Sequence, residues 1–266
     1  MIVRPRPSIA VALTVAYLAI MAVTWRVLGV DYTEVGDSTD TVVRGIVIPV
    51  ALASVFLAVA TTKLGWWRPA LREDLRAPRW VWLVPALMVL PGVGSVLGGL
   101  EAADRSRSFL VALGLGCLLV GFGEELLTRG TGLVGLRGRF GEAASWFFSC
   151  LLFGLLHAVN ALFGQGVGST VQQVVVAFLA GSVLYLTRRV SGTLILGMLL
   201  HAWIDFTTLA FSDGSVESGS AWSALGLIQW VAFILAIAGV AVVLRGGRRD
   251  SGLTRADGST TIRRVR

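Results

Sequence analysis

Read for hydrophobic and polar positions, the chain is a series of apolar runs about 20 residues long, broken by short polar or charged stretches. That is the length an α-helix needs to cross a bilayer core, at 1.5 Å per residue. Backbone groups inside lipid must bond within their own segment, so repeated runs of this kind predict helices rather than open sheet. Eight runs can be marked: from about residue 9 to Gly29, then Thr41–Thr62, Trp80–Leu100, Phe109–Leu136, Trp146–Leu162, Thr170–Leu186, Gly192–Phe211 and Ala221–Leu244. The fold class they predict is all-α, a polytopic membrane helix bundle with about eight transmembrane helices. The first run has the look of a signal peptide, but it is long and has no small-residue cleavage site before Asp31; it reads as a retained span with Arg26 snorkelling at its far end. Pro85 and Pro91 are expected to kink the third span. Lys63–Arg79 is rich in arginine and tryptophan and is expected to lie along the surface, with Trp66, Trp67 and Trp80 in a headgroup belt. From Arg245 the chain is basic and weakly hydrophobic. The expected organisation is therefore one membrane domain over residues 1–244 and an unordered basic cytoplasmic tail over 245–266.

Composition agrees with this picture: 55% hydrophobic, 15% charged, and a mean hydropathy of +0.77. The net charge of +7 is explained by where the arginines fall. The N-terminus, the 63–79 loop, residues 137–139, Arg188-Arg189 and the tail are basic, and they alternate with acidic or neutral loops. With Arg129 counted among them, 19 of the 23 basic residues fall on that side. The positive-inside rule then places both termini in the cytoplasm, and the excess gives no reason to invoke nucleic acid. Arginine outnumbers lysine 22 to 1 in a chain rich in alanine, glycine and valine, which points to a GC-rich genome and a bacterial plasma membrane. Cys117 and Cys150 both lie in apolar runs and read as buried packing residues, not a disulfide.

Against this apolar background a few polar residues stand out. Glu124 and Glu125 sit side by side in the fourth span, where a charge at mid-bilayer costs about 3 kcal/mol or more. Neighbours on a helix point about 100° apart, so the two cannot share one partner. Glu125 has Arg129 at i+4, in the favourable order, and reads as a structural ion pair. Glu124 has no partner in its own helix. The chain has only two histidines, His157 and His201, both inside spans, and Asp205 shares a helix face with His201. Counted from the cytoplasmic ends of their spans, Glu124, His157 and His201 lie at a common depth, on the order of 15–20 Å. Spans four, five and seven are thus expected to be neighbours around a polar cavity, with Phe153, one turn before His157, packing against it. A carboxylate and two imidazoles can activate water, with glutamate as general base. The same groups, Glu124, His157 and His201, suit Zn2+ with a position left for water. Residue types leave both versions open.

The three motifs Glu124-Glu125-x-x-x-Arg129, Phe153-x-x-x-His157 and His201-x-x-x-Asp205, on successive helices, resemble the CPBP (Abi) family of CAAX-protease and bacteriocin-processing intramembrane proteases, related to the type II CAAX prenyl endopeptidases. The resemblance covers about Phe109–Phe211. It implies hydrolysis of a peptide bond in a membrane-associated protein or peptide that reaches the cavity from the cytoplasm or the bilayer. By position, Glu124 and His157 would activate water while His201 and Asp205 stabilise the oxyanion; in a metal version the histidines and a glutamate would be ligands. Asp205 stands where the prenyl endopeptidases have Asn, and its role would be to donate as a protonated acid, to orient His201, or to help bind metal. The competing readings are a non-catalytic scaffold or bacteriocin-immunity protein of the same fold, and a proton-coupled transporter. The chain shows no internal repeat of the transporter kind.

Overall fold

A computed structural model describes residues 2–99, 105–211 and 220–256. Among them there is no strand; two loops touch in a single antiparallel bridge between Arg72 and Thr193. The helices are α1 (Pro7–Leu28), α2 (Thr39–Leu64), α3 (Arg79–Gly99), α4 (Arg107–Arg137), α5 (Glu142–Phe163), α6 (Val167–Ser191), α7 (Ile195–Ala210) and α8 (Ala221–Arg245). Seven of these described helices are long and apolar enough to cross a membrane. The exception is α7, whose 16 residues reach about 24 Å at the standard rise. Most of the expected charged loop at Glu101–Arg107 lies outside the described residues, as do Asp213 and Glu217. The last helix continues past Arg245 to Ala256, and the rest of the expected tail, residues 257–266, also lies outside.

Local chemistry explains the irregular stretches. Proline at position 49 has no N–H to give to the Gly45 carbonyl one turn back, and α2 widens into a π stretch over Val43–Val47. The indole of Trp25 on α1 donates to that Gly45 carbonyl at 2.8 Å. A helix break in one span is thus converted into a link to another. In α3 the helix runs through Pro91, and the Trp203 indole of α7 donates to the nearby Val89 carbonyl.

Helix α4 is the centre of the packing. It lies against α7 along much of its length and against α2 and the α1 end on its other sides. Helix α5 packs on α6, α6 on α7 and α8, and α3 on both α7 and α8. Close approach of α4 and α7 depends on Gly121: a Cβ there would press on the backbone of Met198 and Ala202.

The loops sort into two ends. At one, Val3 N–H donates to the Leu64 carbonyl, Glu73 N–H to the Gly192 carbonyl, and the Arg137 guanidinium pairs with Glu73 at 2.9 Å and Glu142 at 2.6 Å. This end gathers the N-terminal arm, the 65–79 loop and the turns after α4 and α6, which are the basic segments. At the other, Tyr32 accepts from Gln173 at 2.8 Å, the Thr39 and Ser108 hydroxyls meet, and Trp25 packs edge-on against Phe163. Of the segments that charge alternation assigned to one side, the N-terminal arm, the 65–79 loop and the turns after α4 and α6 do share one end of the bundle.

The 63–79 segment corrects one expectation. Trp66 is fully buried and donates from its indole to the Val3 carbonyl at 2.7 Å, so it is a packing residue and not part of a headgroup belt. Trp80 is exposed as expected. The segment is held inward by Arg188 of α6, itself fully buried. Its guanidinium pairs with Glu73 and donates to the carbonyls of Pro69, Ala70, Arg72 and Arg129.

Candidate active site

Helix α4 delivers its two glutamates to different surroundings. Glu124 lines a cavity of about 410 Å3, whereas Glu125 is fully buried beside it. This is the 100° separation of neighbours on a helix, now with an occupant on each side. Immediately after Glu125 the helix widens into a π stretch, Leu126–Gly132, of a kind often found at functional sites. Carbonyls in and beside it find side-chain donors: Thr128 to Glu124, Thr131 to Leu126 and Leu127, Ser149 of α5 to Thr128, and Arg188 to Arg129. Such capping is needed where no water can serve.

Arg129, projecting from this stretch, is fully buried and donates to Glu125 at 2.8 Å and to Thr128 at 2.6 Å. Its guanidinium lies over the Phe153 ring, 4.0 Å from the centroid, a cation–π arrangement that partly replaces lost hydration. Gly181 of α6 gives it room, since a Cβ there would come within 2.8 Å of Nη2. The Phe153 ring in turn meets His157 and His201 edge-on, with centroids 5.4 and 5.3 Å away. Phe153 therefore sits between the buried arginine and both imidazoles.

Around His157 the backbone of α5 tightens from α to 3-10 geometry. The His157 N–H turns to the Gly154 and Leu155 carbonyls, and the Phe153 carbonyl takes the imidazole Nδ1 at 3.1 Å. A carbonyl only accepts, so this bond places the proton on Nδ1 and leaves Nε2 as the free ring nitrogen. His201 is held between two carboxylates: Nδ1 lies 3.4 Å from Glu125 and Nε2 3.5 Å from Asp205. Neither contact is a well-formed hydrogen bond, and Nδ1 counts among the buried atoms without one. Oε2 of Glu124 is another such atom.

Glu124, His157, His201 and Asp205 all line the same cavity, from α4, α5 and α7. Glu125, Arg129 and Phe153 form the packed layer behind it. The cavity's other walls escaped the sequence reading. Tyr17, Met21 and Trp25 of α1 and Ile46 and Val50 of α2 contribute, as do Asn160 and Gln173, whose amides bond each other at 3.0 Å. An amide inside an apolar run was a readable signal; the tyrosine on α1 was not. The polar cluster of buried Arg188, Glu73, Tyr185 and Arg189 with half-buried Arg137 and Glu142 was likewise unread, because most of its pairs join residues far apart in sequence. Cys117 and Cys150 are buried free thiols, and Cys117 touches the cavity.

Zinc needs three or four converging ligands. Among the described residues, no three His, Cys, Asp or Glu side chains are so gathered. Glu124, His157 and His201, the donor set open in the sequence reading, line one cavity without forming such a group.

No curated protein and no solved structure matches the chain. A family model does match, over residues 106–207, the stretch that carries every motif residue named above. It is that of the type II CAAX prenyl endopeptidase Rce1-like proteins, a family of proteases, to which the motif-bearing segment of this chain is similar.

Proposed function

We propose that this protein is an intramembrane endopeptidase that hydrolyses a peptide bond of a membrane-associated protein or peptide without a metal. The observation that carries the reading is the shared cavity: Glu124, His157, His201 and Asp205 line it from three helices, and Glu124 presents a buried carboxylate oxygen with no partner. An unpaired polar atom of this kind, inside a bundle, is costly unless a ligand or water uses it.

In this mechanism a water enters between Glu124 and His157. Glu124 takes a proton from it as the oxygen attacks the peptide carbonyl, and His157 accepts a hydrogen bond at Nε2, which orients the attacking lone pair. The carbonyl oxygen becomes an oxyanion. His201 donates to it, positioned by Glu125 on one side and Asp205 on the other, and its loose contacts leave the ring free to close on the developing charge. The C–N bond then breaks, and the proton held by Glu124 passes to the leaving amine. Asp205 acts through His201 in this scheme, which suits an acid that would make a poor oxyanion donor when ionised. Phe153 and Arg129 keep both imidazoles and Glu125 in place.

The test is cleavage of a membrane-peptide library by detergent-purified protein, with metal content measured on the same samples. Wild type should cleave, should carry no stoichiometric zinc, and should keep its rate after chelation. Glu124→Gln should insert and purify normally but cleave about 10²–10⁴-fold more slowly. Chelator-sensitive cleavage with one zinc per chain would overturn the metal-free mechanism. Full activity in Glu124→Gln would remove that residue from it.

A further inference from the structure

The cavity is one-sided. From the level of Glu124 and His201 it runs past Val120 and Cys117 on α4 and Thr208 on α7 to Thr33, Gly36 and Asp37 in the turn between α1 and α2. None of its lining comes from the N-terminal arm, the 65–79 loop or the turns after α4 and α6. In that direction the space is filled. Leu126, Leu127, Arg129, Leu133 and Leu136 are all buried and close the floor below the glutamates. The open end is therefore the acidic end of the bundle and the sealed end is the basic one.

Charge adds a second, independent observation. The cavity is lined by the carboxylates of Asp37, Glu124 and Asp205 beside the imidazoles of His157 and His201, with Asp37 alone of these at the mouth, and no lysine or arginine is among the described residues that line it. A cleft walled by one sign of charge in a low-dielectric surround concentrates ions of the opposite sign. Short loops rich in arginine stay in the cytoplasm, which puts the sealed end there.

The geometry points to a site entered from the non-cytoplasmic face, one that takes a peptide segment with basic rather than acidic residues beside its apolar stretch. This rests on the peptidase reading above. It differs from the approach from the cytoplasm or the bilayer that the family resemblance implies. The aromatic and amide rim suits such a segment: Trp25, Tyr32 and Phe163 pack together at the mouth, and the Asn160–Gln173–Tyr32 chain offers amide groups to an extended backbone.

The test reads the mouth without needing catalysis. Thr208→Cys places a thiol at an exposed cavity position, and Arg139→Cys places one at an exposed position of the basic end; wild type, whose two thiols are buried, gives the background. Each is treated with membrane-impermeant methanethiosulfonates, cationic (trimethylammonium-ethyl) or anionic (sulfonatoethyl), in intact cells and in inverted vesicles. Thr208→Cys should react in intact cells and Arg139→Cys only in inverted vesicles. At Thr208→Cys the cationic reagent should be favoured by about tenfold or more over the same pair's ratio on a free thiol. Adding Asp37→Asn should narrow that preference. Reaction of Thr208→Cys only in inverted vesicles, or from neither side, would overturn the assigned mouth. A ratio at or below that of the free thiol would overturn the basic-peptide preference. Since no arm requires cleavage, failure here is distinct from failure of the Glu124→Gln experiment.

Discussion

Glu124 and Glu125 are neighbours in sequence with the same side chain and different surroundings. Each keeps one buried oxygen without a hydrogen bond, but Glu125 is enclosed with Arg129 and also faces His201, whereas Glu124 lines the cavity. Replacing each by glutamine should separate the two roles. Glu124→Gln removes only a base, and the peptidase rate should fall about 10²–10⁴-fold with little change in melting temperature. Glu125→Gln leaves Arg129 buried without its counter-charge, and breaking such a pair costs about 3–5 kcal/mol. Its melting temperature should fall clearly, and any rate loss should follow the folded fraction together with the misplacing of His201. Thermal unfolding in detergent beside the cleavage assay checks both. If Glu124→Gln were the more destabilised of the two, the assignment of base and structural partner would be reversed. The i, i+4 spacing made Glu125–Arg129 legible in advance. The further contact with His201 was not, because it joins α4 to α7 and no spacing rule reaches between helices.

At the scale of elements, the site depends on features that sequence periodicity hides. Hydropathy marks where a span lies, yet it does not show that α4 widens after Glu125 or that α5 tightens around His157. The α4 widening is matched by Ser149 of α5 and Arg188 of α6, so it belongs to the packed state and not to local propensity, while at the α5 tightening it is the His157 ring itself that meets the Phe153 carbonyl. Gly121 offers a direct test. A methyl there would meet the Met198 backbone, which cannot swing aside, so α4 and α7 must part. Gly121→Ala should cost about 1–3 kcal/mol in stability. It should also lower the peptidase rate, since α7 carries His201 and Asp205 while α4 carries Glu124. Purified protein compared by melting temperature and turnover would show this, and an unchanged rate would mean the two helices are not held in register by this contact. Arg188 makes a second case. Arg188→Met leaves Glu73 with Arg137 as its remaining cation and takes the Arg188 donors from four backbone carbonyls inside the protein, which should cost about 3–5 kcal/mol. Arg188→Lys keeps the charge but not the planar fork, and should recover only part of that loss. Equal melting temperatures for wild type and Arg188→Met would refute the role of this guanidinium as the clasp between α6, the 65–79 segment and α4.

For the molecule as a whole, the motifs occupy α4, α5 and α7, and the family match stops at residues 106–207, yet the cavity is not built by that segment alone. Tyr17, Met21, Trp25, Ile46 and Val50 wall it from α1 and α2, and Tyr32 and Asp37 stand at its mouth. The outer spans carry no motif because an apolar wall needs only shape and hydrophobicity, which many residues supply. That is why the helices and their shared ends could be anticipated from hydropathy and charge, while the cavity's extent could not. A chain lacking residues 2–64 tests the distinction. It removes two crossings, so the remaining spans keep their sense, and it retains every motif residue. It should still insert, melt at a lower temperature, and lose cleavage, because water would reach Glu124 from a side that is now walled and the peptide would lose half its bed. Supplying residues 1–64 as a separate polypeptide should restore activity if α1 and α2 act as a wall and need no covalent link. Wild-type turnover by the shortened chain alone would show instead that the matched segment is sufficient and that the outer spans only shield it from lipid.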